Sequence, residues 1–305
     1  MEITIRGATL DDISQIAGLF NSDDSYKDPF FNSEKEVRDN WDRLDIAKLV
    51  AEDNGRVIGF ASVATSNIAT EIQAKARLAE PKKIFVHEDY RGKGIAGLFH
   101  KARTAIMKEG GIDFSVGTAV SGHPYSQLAS FKSGSMPYMF MPLWISTDMS
   151  GSGQRESPVG LVKPISEKAA MMKEKRTVYL PEKCASIAQL SYSAVGLDRT
   201  IEIVEPSFEQ SDAAYFTFDE KTAEEYVLPV TTIDIANPQR VKRVSTAIQL
   251  GWIPLGVLPV GTDRLVMMYV PKGMNFDIKK VKVINEAKPL AEAVGNMFND
   301  YAGRK

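Results

Sequence analysis

The chain opens with Ile3 and Ile5 set between polar neighbours, a period of two that predicts a short strand. The period then changes. Ile13, Ile16, Ala17 and Phe20 share one face of a helix, with Asp11 or Asp12 placed to cap its free amides. Ser33 to Arg43 predicts a second helix, opened by a Ser-Glu-Lys-Glu capping box. A hairpin follows: strand 48–52, the turn Asp53-Asn54-Gly55, and a return strand over 56–63, with Asn-Gly supplying the positive φ angles a tight turn needs. A strand over 82–86 runs into a glycine-rich turn and a helix over 93–108. That helix is expected to turn Leu98, Ala102, Ala105 and Ile106 toward a core, and Gly110-Gly111 ends it. A strand over 114–120 and a short helix over 125–133 complete the first half.

Residues 149–158, Met-Ser-Gly-Ser-Gly-Gln-Arg-Glu-Ser-Pro, read as a linker. Beyond it the pattern restarts. Strands are expected over 177–180, 200–204, 231–235, 256–259 and 264–269, and helices over 181–194, from Asn237-Pro238 to Leu250, and over 286–301. Acidic sequence around 219–225 precedes the third of these strands. The stretch Met136 to Trp144, rich in methionine, reads as a buried strand or as the lining of a tunnel. The two halves alternate strands and helices in similar order, so the expected class is α/β with a mixed sheet, in two domains, 1–148 and 159–305. At 305 residues the length also favours two domains.

Composition narrows the field a little. With 44% hydrophobic and 25% charged residues the chain is an ordinary globular one, and a net charge of −2 gives no global attraction to nucleic acid or anionic membrane. No apolar run reaches the length of a membrane span, and Met1 to Arg6 has no signal-peptide pattern. The single cysteine, Cys184, fits a reducing compartment and reads as a packed apolar residue. The expected location is cytoplasmic, with no membrane and no nucleic-acid partner.

The chemistry concentrates at Arg91-Gly92-Lys93-Gly94-Ile95-Ala96, between a strand and a helix. The first amides of a helix have no partner inside it, and the helix dipole adds about half a positive charge there. Glycines let the backbone approach an anion, and Arg91 and Lys93 add charge, so the run suits phosphate. On spacing alone a turn with a basic surface is an equal alternative. The pattern matches neither a P-loop nor the dinucleotide fingerprint.

The segment from Ile84 to Leu98, a strand ending in Val86, a short turn, then Arg91-Gly92-Lys93-Gly94 opening a helix, resembles motif A of the GNAT acetyltransferase superfamily. The element order over residues 1–145 is similar to that fold as well. The resemblance implies a GNAT-like acyl-CoA N-acyltransferase fold, with the second half a degenerate copy that has a structural or partner-binding role. It implies that the amides of Gly92, Lys93, Gly94, Ile95 and Ala96 hold the pyrophosphate of acetyl-CoA, with Arg91 beside them. Backbone groups of Phe85 and Val86 would pair with the pantetheine arm, and the Val86 N–H would polarise the thioester carbonyl.

Proton transfer is less clearly written. Many members of the family carry a Tyr as acid four residues before the glycine of the next motif; counted back from Gly134, that position is Ser130, beside Phe131. His123 stands where an Asn is common. His123, Tyr125 and Ser126 are the local candidates, with helix capping as their alternative role. Glu71, Glu80 and Glu88 are candidates for the base, or solvated carboxylates. His87 and His100 are weaker candidates, and three scattered histidines with one cysteine make no metal-site spacing. The expected function is acetyl transfer from acetyl-CoA to a primary amine, on a small molecule or a protein, by direct attack through a tetrahedral intermediate. The alternative is a non-catalytic acyl-CoA sensor. A homodimer is allowed for.

Overall fold

The computed structural model describes residues 2–22, 31, 33–43, 46–65, 76–145, 153–205, 216 and 228–304. Two compact units emerge. The first comprises Met1–Gly117, Leu128–Ser135 and Lys163–Glu167, and the second Thr118–Gln127, Met136–Val162 and Lys168–Lys305.

In the first unit, β1 (Ile3–Gly7), β2 (Ala47–Asp53), β3 (Arg56–Thr65) and β4 (Leu78–Val86) pair antiparallel in sequence order, and β5 (Phe114–Ala119) joins β4 in parallel. The hairpin turn forms as the Asn-Gly pair predicts, with Asn54 and Gly55 both at positive φ. α1 (Ile13–Asn21) and α2 (Glu34–Asp39) pack with Val50, Phe60 and Phe85 on one face of the sheet. α3 (Ile95–Glu109) covers the other face through Leu49, Ala51, Ile58, Ile84 and Val86. Ser33 caps α2, accepting from the Glu36 amide at 3.2 Å. α1 is entered one turn early, by a 3-10 turn over Leu10–Asp12. There the Asp12 carboxylate accepts from the Thr9 amide at 2.8 Å and pairs with Arg6 at 2.8 Å, which holds it well below the usual carboxylate range, at about 2.

Of the residues expected on the inner face of α3, Ala102 and Ile106 pack against the core, while Leu98 and Ala105 are exposed. Ile95, Phe99, His100, Arg103 and Met107 are buried, while Leu98 is 41% exposed. Phe99 presses against the sheet at Gly59, where an added Cβ would lie 3.0 Å from its ring.

The chain continues through α4 (Tyr125–Lys132). In the second unit, β6 (Met136–Phe140) is the expected buried strand, and it pairs with β7 (Val159–Pro164), which the sequence pattern did not announce. α5 (Glu182–Ala194) follows β8 (Arg176–Leu180), which pairs in parallel with β9 (Arg199–Ile203). β10 (Val230–Asp234), β11 (Trp252–Val260) and β12 (Thr262–Tyr269) form an antiparallel set, with α6 (Val241–Gln249) before β11 and α7 (Lys288–Ala302) at the end. Gly256, at φ 153°, is where β11 meets β6; an added Cβ would fall 2.0 Å from the Tyr138 carbonyl oxygen. Ser191 of α5 supplies the polar contacts there, donating to Tyr138 O at 2.6 Å and accepting from the Val257 amide at 2.9 Å.

Of the expected linker, residues 149–152 lie outside the described residues, as does the acidic sequence around 219–225. Residues 153–158 are described, and Glu156 and Ser157 among them are buried. Among the described residues no helix is long and apolar enough to cross a membrane, and no group of three or more His, Cys, Asp or Glu could hold a metal ion.

Candidate functional site

The turn from β4 into α3 has the geometry an anion cradle requires. Gly92 and Gly94 take φ of 77° and 81°, the left-handed region that favours glycine, and Gly94 is the N-cap of α3. A Cβ added at either would meet nothing within 4 Å, so both face open space. The Leu98 amide reaches back to Gly94 O at 3.2 Å and closes the first helical turn. The amides of Ile95, Ala96 and Gly97 precede that closure and have no acceptor inside the helix. Lys93 lies over the Tyr90 ring, 4.6 Å from its centroid, and the Tyr90 hydroxyl donates to Asp53 at 3.1 Å, which raises its pKa. The turn is thus braced against the β2–β3 hairpin while its glycines stay open. The residues present fit a pyrophosphate.

The strand leading into the turn is open along part of one edge. β4 pairs with β5 only at Leu78↔Phe114 and Ala79↔Ser115. Pro81 comes next on that edge. It has no N–H to give, and its ring would lie 3.2 Å from a Cβ at Gly117 of β5. From there to Val86 no ladder joins the two strands. The backbone phase decides which residue faces the open edge. His87 donates to Ile58 O at 2.9 Å, so the pairs His87–Ile58 and Phe85–Phe60 are hydrogen-bonded ones and Val86–Gly59 is not. The Val86 N–H and C=O therefore point away from β3, and those of Phe85 toward it. Of the two backbones expected to hold a pantetheine arm, Val86 faces the open edge; the Phe85 backbone is engaged by β3 and its ring packs among Phe20, Phe60 and the other α1-side residues. Arg91 Nε donates to Val86 O at 3.1 Å, leaving the Val86 N–H as the outward donor.

Two nearby histidines are accounted for. His87 Nε2 lies 3.0 Å from Arg56 Nη2, and its Nδ1 accepts from the Asp89 amide at 3.4 Å, which caps the 3-10 turn over Glu88–Tyr90. His100 is buried on α3 with Nε2 lacking a partner, and burial, then the charges of Arg103 and Lys163, push its pKa down to about 4. Glu80 pairs with Lys82 at 3.4 Å. Glu88 sits in the 3-10 turn before the cradle, and Glu71 lies outside the described residues.

His123, Tyr125 and Ser126 belong to the second compact unit. The His123 and Tyr125 rings are 5.3 Å apart and Tyr125 is 74% exposed. Their loop is held by two buried side chains that sequence reasoning passed over. Gln127 donates to Val120 O at 2.8 Å and Lys282 O at 2.9 Å, and accepts from the Ile284 amide. Glu156 Oε1 accepts from the Ser121 and Ser157 amides at 2.8 and 3.1 Å, and its Oε2 is buried without a partner. Ser130 lies in α4 within a segment of the first unit, and its carbonyl accepts from the Ser133 hydroxyl at 2.7 Å. Cys184 is buried on α5, with its thiol pushed up to about 12 by burial.

Residues 46–121 match the family described as acetyltransferase (GNAT) domain. Solved structures similar to this chain include an N-acetyltransferase from Staphylococcus aureus Mu50 (18% identity, 54% of this chain and 100% of that one, TM-score 0.45). Two more are the ribosomal-protein-S18-alanine N-acetyltransferase from Escherichia coli (15%, 54% and 95%, 0.43) and a Salmonella typhimurium protein described as a candidate acetyltransferase, solved with its cofactor acetyl-CoA (19%, 55% and 96%, 0.46). No curated protein matches the chain in sequence.

Proposed function

We propose, from the match of residues 46–121 to the acetyltransferase (GNAT) domain family, that the protein transfers an acetyl group from acetyl-CoA to a primary amine. The observation that carries the proposal is the junction of an open β4 edge with a glycine cradle at a helix N-terminus. One end offers an outward N–H at Val86, and the other offers free amides to a pyrophosphate.

In this reading the amides of Gly92 to Ala96 hold the two phosphates, with Arg91 and Lys93 adding positive charge. The arm of the substrate lies along β4 as an added strand. The Val86 N–H donates to the thioester oxygen and donates more strongly as negative charge grows there, which favours the tetrahedral state over the ground state. The amine attacks directly, and no enzyme nucleophile is needed. A neutral amine must be made from one whose ordinary pKa is near 10.4, and the departing thiolate takes up a proton. The candidates read from the sequence for these transfers are His123 and Tyr125.

The test is thiol release from acetyl-CoA across a panel of primary amines, with Gly94→Glu as a control. Turnover on at least one amine is expected. Gly94→Glu should raise the KM for acetyl-CoA by about tenfold or more, because it strains the φ of 81° and sets a carboxylate against the phosphates. Absence of CoA binding overturns the proposal. Tight CoA binding without turnover on any amine selects a non-catalytic acyl-CoA sensor instead, the reading favoured by Ser130 at the family's tyrosine position.

A further inference from the structure

The edge that β4 offers is set by one inserted residue. Ala61 pairs with Ile84 and Ser62 with Lys82, so Lys83 is extra, and it takes φ of 46°. The consequence can be followed from one end of the strand to the other. Arg77 accepts from the amides of Asp113 and Phe114, so at Arg77 the odd-numbered residue faces β5. His87 donates to Ile58 O, so at His87 the odd-numbered residue faces β3. The alternation has reversed once between them, at Lys83. Without the bulge Phe85 would present its N–H to the open edge and Val86 would turn inward.

A bulge in a strand that has lost its neighbour on one side needs something else to hold it. Arg103 of α3 is 2% exposed, and its Nη2 donates to Lys82 O at 2.8 Å and Lys83 O at 2.6 Å. In a regular strand successive carbonyls point to opposite edges. Here two in succession converge on one nitrogen, which is the bulge conformation itself. No carboxylate pairs with Arg103 among the described residues, and burial lowers its pKa to about 9, so the carbonyls are its compensation. Ser62 adds a second bond to Lys82 O at 3.1 Å.

We propose that Arg103 is a positioning residue for the thioester: by fixing the Lys82 and Lys83 carbonyls it holds the bulge that turns the Val86 N–H outward, and because it lies on the helix whose N-terminus forms the cradle, it ties the two ends of the acyl-CoA site to one rigid element. The inference rests on the acyl-CoA reading above. The test uses the full chain with Arg103→Met and Arg103→Lys.

Three readouts are taken: CoA affinity with kcat and KM, the infrared band of a 13C-labelled thioester carbonyl in bound acetyl-CoA, and amide hydrogen exchange along β4. In Arg103→Met, CoA affinity should change by less than about threefold, since the cradle amides remain. kcat should fall by about 100-fold, the size expected for losing an aligned oxyanion donor. The carbonyl band should shift toward its position in water, and exchange should rise at Phe85 and His87, whose amides face β3, ahead of the rest of the sheet. Arg103→Lys, which keeps a cationic donor on a shorter side chain, should recover about tenfold of the lost kcat. An unshifted band in Arg103→Met, or CoA affinity falling in step with kcat, overturns the proposal. A wild-type protein that binds no CoA overturns the acyl-CoA reading. The exchange pattern then decides separately whether Arg103 holds the bulge: faster exchange confined to residues 82–87 keeps that part, and uniform exchange removes it.

Discussion

Two buried residues make opposite demands on their surroundings. His100 lies neutral on the inner face of α3, its pKa lowered to about 4 by burial and by two neighbouring cations. The unfolded chain binds a proton there near pH 6.5 and the folded one does not, so stability is full above about 6.5 and falls as the pH drops toward 4. The loss amounts to roughly 3 kcal/mol over that window. Denaturant midpoints measured from pH 7 to 4 should therefore fall more steeply for the wild type than for His100→Gln; parallel curves would contradict the assignment. Cys184, with its thiol pushed up to about 12, should resist alkylation until the protein unfolds, and Cys184→Ser should leave the proposed acetyl transfer unchanged. Residues of this kind were the least legible in the sequence. The glycine turn at the start of α3 could be read because its glycines and charges sit side by side in the chain. Arg103, His100, Gln127 and Glu156 could not, because a charged or amide residue on a helix or in a loop looks the same in sequence whether it faces water or closes a buried network.

At the scale of elements, most strands and helices followed from periodicity and turn chemistry, the Asn54-Gly55 hairpin most directly. β7 escaped because its apolar run, Val159 to Val162, is broken by Gly160 and follows a polar stretch that resembles a linker. The packing of β11 against β6 could not be inferred either. Gly256 reads as a strand residue of no note, but its φ of 153° and the absence of room for a Cβ make it a contact point between backbones. Gly256→Ala is expected to cost more than about 3 kcal/mol, a size reserved for strain or overpacking in a core. Ser191→Ala, which removes the hydrogen bonds to the Tyr138 carbonyl and the Val257 amide, should cost about 1–3 kcal/mol. Urea titrations followed by tryptophan fluorescence would measure both, and a Gly256→Ala protein as stable as wild type would show that the two strands part easily.

For the whole molecule, what one sequence cannot display is how segments far apart in the chain belong to one unit. Asp113 shows the case. Its carboxylate accepts from the Arg77 amide at 2.9 Å and the Ser166 hydroxyl at 2.7 Å, and its carbonyl accepts from the Ile165 amide at 2.9 Å. Three stretches of the first unit meet at this residue. Asp113→Ala should destabilise the protein by about 2–3 kcal/mol and Ser166→Ala by about 1 kcal/mol; the double variant should cost less than the sum, because both remove the same bond. Additive losses would mean that the two act separately. The same junction bears on how the protein comes into being. The chain leaves the first unit after Gly117 and returns to it for the last time at Lys163–Glu167, and at ribosomal speeds of about 5–20 residues per second the interval from Asp113 to Ser166 lasts roughly 3 to 10 s. Through that time a nascent chain already carries its whole glycine turn, while the carboxylate that will close the unit still waits for its last partner.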